Sequence, residues 1–207
     1  MIISDSFVFL HAPRTGGTSI AKALGYDYED INHFYELPDV GDRFVFSFVR
    51  NPFDRIVSTY HWLTDGQFKE SLRLGFSIGT VKYKLSFEEW FEFRFTQQSI
   101  DKSLDYEMPE NYDGEWNEID QHNALLGLRH WGIHSQCLYA QSAEFIGKYE
   151  DLNTDWCRVA NQIGMTSKLP VTNKSIRSGY KDYYDESMRN IIYTVYQDEF
   201  ERFGYEW

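Results

Sequence analysis

Apolar runs in the first 65 residues alternate twice with turns and helical patterns. Ile2 to Leu10 is rich in β-branched and aromatic residues, which predicts one buried strand. The following residues predict a helix that Gly17 or Thr18 caps and that Gly25 ends. Arg43 to Val49 predicts a second buried strand. Two strand–turn–helix units in succession indicate an α/β fold with a parallel sheet.

The helix after the second strand has a clear N-terminal signal. Asn51 suits the N-cap, Pro52 the first helical position and Asp54 the first turn. Ser58 falls on the same predicted face as Asp54 and Arg55. The apolar stripe recurs at helical spacing on another face: Phe53, Ile56, Val57 and Tyr60.

The rest of the chain alternates between regular and irregular patterns. Ser86 with Glu89 forms a capping box before an aromatic helix. A third strand is predicted over Phe145–Tyr149, a helix over Asp155–Ile163, and a last helix from Asp185 to Phe203, where Gly204 ends it.

An irregular, acidic segment at about 96–122 interrupts these elements. Residues 101–120 hold eight acidic residues and one lysine, without a helical or strand period. Two interpretations stay open for this segment: a solvated surface loop, or a lid over a functional site.

Length and charge limit the function classes. A chain of 207 residues suits one domain over residues 1–207. Because apolar runs are short, we expect neither a membrane helix nor a secretory signal. Two cysteines form no disulfide framework, so we expect a protein of the reducing cytoplasm. The net charge of −12 argues against general nucleic-acid binding, and an anionic ligand would need a local cationic site.

The first candidate for such a site lies between the first strand and helix. Gly16 and Gly17 allow close approach of the backbone to a ligand, and a helix N-terminus favours an anion. Arg14 adds a guanidinium, and Thr18 and Ser19 add hydroxyl donors. No lysine precedes Thr18, so the segment departs from the usual nucleotide-binding loop pattern. A tight turn without a ligand is the alternative.

The second candidate follows the second strand. Arg50 ends a buried strand, where a charge is costly without a partner, and Ser58 lies eight residues later. Together they could hold one phosphate. The alternatives are a salt bridge from Arg50 to Asp54, and an ordinary exposed serine at position 58.

Both segments together resemble a known family. His11–Ser19 resembles the 5′-phosphosulfate-binding loop of sulfotransferases, and Val49–Tyr60 resembles their 3′-phosphate-binding strand and helix. Lys148–Leu152, Asn173–Ser175 and Tyr196–Tyr205 are similar to later segments of the family, the last two to its carbohydrate-type branch. The chain is identified as a member of this family, of a bacterial or phage type.

The resemblance implies a donor, a fold and a set of ligand contacts. The donor would be 3′-phosphoadenosine 5′-phosphosulfate (PAPS), used without a metal. The fold would have the three-layer core of the P-loop NTPases, with helices flanking a central parallel sheet. The residues implied to contact the 5′-phosphate are Arg14, Thr15, Gly16, Gly17, Thr18 and Ser19. Those implied for the 3′-phosphate are Arg50, Ser58 and Arg177. The family usually has lysine at the position of Arg14, and arginine has a longer, planar head.

The resemblance also implies a general base for the acceptor. We expect His33 in this role, because it lies in the connection between the first helix and the second strand, where the carbohydrate-type branch can have a catalytic histidine. A histidine also titrates near neutral pH, which suits a general base. Glu36 is the second choice, because other branches of the family use glutamate. The acceptor would be a neutral hydroxyl or amine of a carbohydrate or small molecule, since the acidic chain would repel a polyanion. Two other functions stay open: an ATP- and magnesium-dependent kinase with a variant loop, and a nucleotide-binding module without turnover.

Overall fold

A computed structural model describes residues 1–27, 31, 40–64, 86–95, 133–170 and 177–207. The strands are β1 (Ile2–Ile3), β2 (Phe7–Leu10), β3 (Phe44–Val49) and β4 (Phe145–Lys148). The helices are α1 (Gly17–Leu24), α2 (Pro52–Thr64), α3 (Phe87–Phe95), α4 (Gln136–Ala140), α5 (Leu152–Gln162), α6 (Glu186–Val195) and α7 (Gln197–Phe203). Short 3₁₀ turns span Tyr149–Asp151 and Tyr180–Tyr183.

The four strands form one mixed sheet in the order β1-β2-β3-β4. β2 pairs in parallel with β3, and β3 with β4, whereas β1 runs antiparallel to β2. The predicted single strand over Ile2–Leu10 is therefore wrong, and so is an all-parallel sheet. The physical reason lies at Ser4, whose amide donates to the Phe7 carbonyl at 2.9 Å and whose Oγ accepts from the Phe7 amide at 3.0 Å. These bonds close a turn that reverses the chain.

The two faces of the sheet bury different side chains. Alternate residues of β2 and β3 present Phe9, Phe46 and Phe48 to α1 and α5, where Ile20 and Trp156 complete the cluster. The Phe9 and Phe46 rings stack with centroids 5.1 Å apart. Helices thus flank the sheet, which confirms the α/β class; the likeness to the P-loop NTPases stays a prediction.

The opposite face leads into an aromatic core. Val49 at the end of β3 joins a cluster in which Phe53, Trp90, Tyr184 and Phe200 pack together. This cluster joins α2, α3, α6 and α7, so it fixes the start of α2 against helices from distant parts of the chain. Arg50, the residue directly after β3, is therefore held beside a closely packed core.

Several helix ends are confirmed. Asn51 caps α2, with its Oδ1 accepting from the Phe53 amide at 3.0 Å. Ser86 and Glu89 form the predicted capping box before α3, with bonds of 2.8 and 3.2 Å. Gly25 and Gly204 follow α1 and α7 in the left-handed conformation, with φ of 85° and 63°. The start of α1 differs by one residue, because Gly16 takes the cap position.

The predicted helix from Asp185 to Phe203 is wrong as one element. It divides into α6 and α7 at Tyr196, whose φ is −115°. The buried Tyr196 hydroxyl donates to the Ile133 carbonyl at 2.6 Å, which holds the residue at the break. Helix α5 also begins at Leu152, earlier than the predicted Asp155, because the turn over Tyr149–Asp151 runs directly into it.

Within the described ranges, no helix is both long and apolar enough to cross a membrane. The predicted loop or lid at about 96–122 lies outside the described residues.

Candidate functional site

The loop between β2 and α1 requires its two glycines. Gly16 has a φ of 89°, in the left-handed region that favours glycine. A Cβ at Gly17 would lie 1.9 Å from the His11 ring, so only glycine fits there. The Thr15 hydroxyl donates to the Ala12 carbonyl at 2.6 Å and closes the loop on itself. The loop is thereby held close against the end of β2.

The N-terminus of α1 is open to an anion. The Ser19 and Ile20 amides donate to the Gly16 carbonyl at 3.0 and 3.2 Å, so the Gly17 and Thr18 amides precede the first helical bond. Among the described side chains, none caps this helix, and its first turn contains no acidic residue. Its amide groups and dipole therefore favour a negatively charged ligand.

Arg50 stands where β3 ends and α2 begins. Its Nε donates to Asp54 Oδ2 at 2.8 Å, and its Nη2 lies 2.6 Å from the same oxygen. Its Nη1 donates to the Arg14 carbonyl at 3.0 Å, and its guanidinium lies 3.9 Å from the centre of the Tyr149 ring. The salt bridge considered for Arg50 is thus present, but the same side chain also reaches the glycine loop.

Arg14 connects the glycine loop to α2. Its Nε and Nη2 donate to Ser58 Oγ at 3.3 and 3.2 Å, and its guanidinium lies 5.6 Å from the centre of the Trp62 ring. Arg14 has a φ of 69°, a conformation uncommon for a residue with a side chain. Ser58 is buried, so the interpretation as an exposed helix serine is wrong.

Arg177 completes a cationic cluster around Asp54. Its Nη2 donates to Asp54 Oδ1, so one carboxylate receives both Arg50 and Arg177. In this contact cluster Arg14, Arg50 and Arg177 carry three positive charges against one negative charge on Asp54. These three arginines concentrate positive charge at one place in a chain of net charge −12.

The structure brings together most of the predicted site residues. Arg14, Arg50, Ser58 and Arg177 meet through direct contacts or through Asp54. Gly16 to Ser19 form the adjacent helix start. The predicted general bases, His33 and Glu36, lie outside the described residues.

A comparison with protein-family models matches residues 4–206 to the Sulfotransferase family. The chain belongs to the sulfotransferase family. Searches of the curated proteins and of the solved structures returned no match. The chain is therefore a transferase of the class that moves sulfuryl groups, and the cluster lies within the matched region.

Sequence reasoning missed two aromatic residues of the candidate site and misplaced one arginine. Tyr149, under Arg50, directly follows β4 and shares the carboxyl edge of the parallel strands, a signal that was available. Trp62 lies one turn after Ser58 on the same side of α2. Arg55 is fully buried and its Nη2 pairs with Glu199 at 3.2 Å, so it does not share the surroundings of Asp54 and Ser58 as predicted.

The titratable groups around the site respond to burial and to its charges. Burial, followed by the negative charges of Asp54 and Glu150, raises the pKa of Tyr180. Burial also raises the pKa of Tyr205, whose hydroxyl donates to Glu150 Oε2 at 2.9 Å. In the part of the chain that is described, no group of His, Cys, Asp and Glu side chains is arranged to hold a metal ion.

Proposed function

We propose that this sulfotransferase takes the sulfuryl group from PAPS and transfers it to a hydroxyl or amine of a neutral carbohydrate or small molecule. The observation that carries the proposal is the cluster in which Arg14, Arg50 and Arg177 converge on Asp54 and Ser58 beside an open helix N-terminus. A donor with two separate phosphate groups needs two anion sites at a short separation. The contacts of Arg14 with Ser58 and of Arg50 with the Arg14 carbonyl support this proposal, because they bring the residues proposed for the two sites together.

The chemistry of the donor set suits the two phosphates of PAPS. The α1 amides, with the Thr18 and Ser19 hydroxyls, would bind the 5′-phosphate. Arg50 and Ser58 would bind the 3′-phosphate, and Arg177 would close over it. Asp54 pairs with both Arg50 and Arg177 and so holds their guanidinium groups close together. This reduces the side-chain entropy lost when both arginines bind the same anion.

The residues of the loop would supply electrostatic catalysis. PAPS supplies, when bound, an activated sulfuryl group whose departure builds negative charge on the 5′-phosphate oxygen. Arg14 and the α1 amides are oriented before the reaction and would stabilise that charge. We propose that His33 is the general base that takes the proton lost by the sulfuryl acceptor, with Glu36 as the second choice. Turnover that survives both His33→Ala and Glu36→Ala would contradict this assignment.

The charge of the whole chain favours a neutral acceptor. A net charge of −12 repels polyanions such as sulfated glycans over a Debye length of about 8 Å at physiological salt. The cationic cluster offsets this repulsion locally, and we propose that it binds the donor. A neutral hydroxyl on a sugar or small metabolite would approach without an electrostatic barrier.

The function is tested by calorimetric titration with 3′-phosphoadenosine 5′-phosphate (PAP), without magnesium. PAP carries both phosphates of PAPS, so we expect micromolar binding, and much weaker binding of ATP, which has no 3′-phosphate. ATP with magnesium is the control for the kinase alternative. Binding of ATP with magnesium, without binding of PAP, would overturn the proposal. Binding of neither ligand would contradict the proposed donor site.

A further inference from the structure

A buried amide holds the backbone of Arg50. Gln136, the first residue of α4, is fully buried. Its Oε1 accepts from the Arg50 amide at 2.8 Å, and its Nε2 donates to the Arg50 carbonyl at 2.9 Å. One side-chain amide thus satisfies both backbone polar groups of Arg50, where β3 ends and regular strand pairing stops.

Glu199 fixes the orientation of that amide. Its two carboxylate oxygens accept from the Gln136 backbone amide and from Gln136 Nε2, both at 2.6 Å. Glu199 is itself fully buried, and its charge is balanced by the buried Arg55 at 3.2 Å. Of the two polar atoms of the Gln136 side chain, only Nε2 can donate to this carboxylate, so Oε1 faces the Arg50 amide. The direction of the amide is therefore determined by α7.

The backbone of Arg50 determines where its guanidinium lies. The side chain meets Asp54, the Arg14 carbonyl and the Tyr149 ring at once, and all three contacts depend on the direction in which the backbone projects the side chain. A peptide rotation at the end of β3 would move the guanidinium out of this arrangement. The next residue, Asn51, is held separately through its amide by Glu150 Oε1 at 2.8 Å.

We propose that Gln136 is a positioning residue for the phosphate contact made by Arg50, and that Glu199 determines the orientation of Gln136. The buried chain Arg55–Glu199–Gln136 thereby connects α2 and α7 to the anion site without contacting the ligand. The inference rests on the proposed function only for the identity of the anion, the 3′-phosphate of the donor.

The test compares two ligands that differ in that phosphate. Gln136→Met keeps the length and shape of the side chain and removes its hydrogen bonds. Dissociation constants for PAP and for adenosine 5′-monophosphate (AMP) are measured by calorimetry, well below the melting temperature of the variant. We expect PAP affinity to fall about tenfold, or about 1.4 kcal/mol, while AMP affinity changes less than twofold.

A matched core variant separates positioning from general stability. Ile192→Val removes one methylene from the aromatic cluster that contains α6 and α7 and changes no polar group. We expect it to lower the melting temperature and leave the PAP-to-AMP affinity ratio unchanged. If Gln136→Met does not fold, Gln136→Asn replaces it, because the shorter side chain cannot reach Arg50 and Glu199 together.

Two outcomes would overturn the inference, and they are distinguishable. A folded Gln136 variant that keeps the wild-type affinity ratio would show that Gln136 has only a structural role. A wild-type protein that binds PAP no more tightly than AMP would instead contradict the proposed 3′-phosphate site, and the role of Gln136 with it.

Discussion

At the residue scale, the guanidinium groups of Arg50 and Arg158 have opposite surroundings, one buried and one exposed. The Arg50 side chain is 7% exposed and pairs with Asp54 beside two other arginines. The Arg158 side chain is 67% exposed and pairs with Asp155 on α5. A phosphate bound by a buried, preordered guanidinium gains charge-assisted hydrogen bonds, which are worth roughly 1.5–3 kcal/mol in proteins.

Arg50→Ala should therefore weaken PAP binding by about 10- to 100-fold and leave AMP binding nearly unchanged, as measured by calorimetry. Arg50→Lys should recover part of the loss, because lysine keeps the charge but not the fork of donors. Arg158→Ala is the matched control and should bind PAP like the wild type. Equal losses of PAP affinity in Arg50→Ala and Arg158→Ala would show that PAP binding depends only on the net charge of the chain.

At the scale of elements, Asn51 connects the start of α2 to a distant segment. Its Oδ1 caps the helix at the Phe53 amide, and its Nδ2 donates to the Glu206 carbonyl at 2.9 Å. Asn51→Ala should lower the free energy of unfolding by about 2 kcal/mol, since it removes a cap and leaves a second group without its bond. Urea unfolding followed by circular dichroism measures this loss.

Asp185 provides the control for that variant. It caps α6 through one bond, from the exposed Met188 amide at 2.7 Å. Asp185→Ala should cost about half as much, because water can replace the lost bond. A loss at Asp185 as large as that at Asn51 would contradict the role given to the contact with Glu206.

The elements show which parts of the fold can be predicted from sequence. The start of α2 and the capping box at Ser86 and Glu89 were predicted correctly, because their signals lie within four residues. The reversal at Ser4 was also local, and the polar run Ser4-Asp5-Ser6 was an available turn signal that the apolar density on both sides outweighed. The break at Tyr196 could not be predicted, because it depends on a bond to Ile133, 63 residues earlier.

The same distinction applies to the site. Arg50 and Ser58 follow from where a strand ends and which face a helix presents, and both are found in the cluster. Gln136 lies 86 residues from Arg50 along the chain, and the sequence near it shows no pattern that indicates the contact. The ligand contacts could thus be proposed from local motifs, whereas the residues that position them are visible only in the tertiary structure.

At the scale of the whole molecule, burial of tyrosines couples stability to alkaline pH. Burial raises the pKa of Tyr196 to about 12, and it raises the pKa of Tyr184 and Tyr205 in the same direction. The neutral phenol is therefore the form that the folded state favours. This stabilisation is complete below pH 10, the ordinary pKa, and is lost as pH rises through the folded value of about 12.

The free energy of unfolding should accordingly fall between pH 10 and 12, and Tyr196 alone should account for about 3 kcal/mol of that fall. Urea titrations between pH 8 and 11.5 measure the slope. Tyr196→Phe should be less stable at neutral pH, where it lacks the bond to Ile133, yet show a flatter decline. Ile192→Val, a core variant that changes no titratable group, should keep the wild-type slope. An unchanged slope in Tyr196→Phe would mean that the alkaline loss comes from other groups, such as Tyr184 and Tyr205, because a phenylalanine cannot ionise.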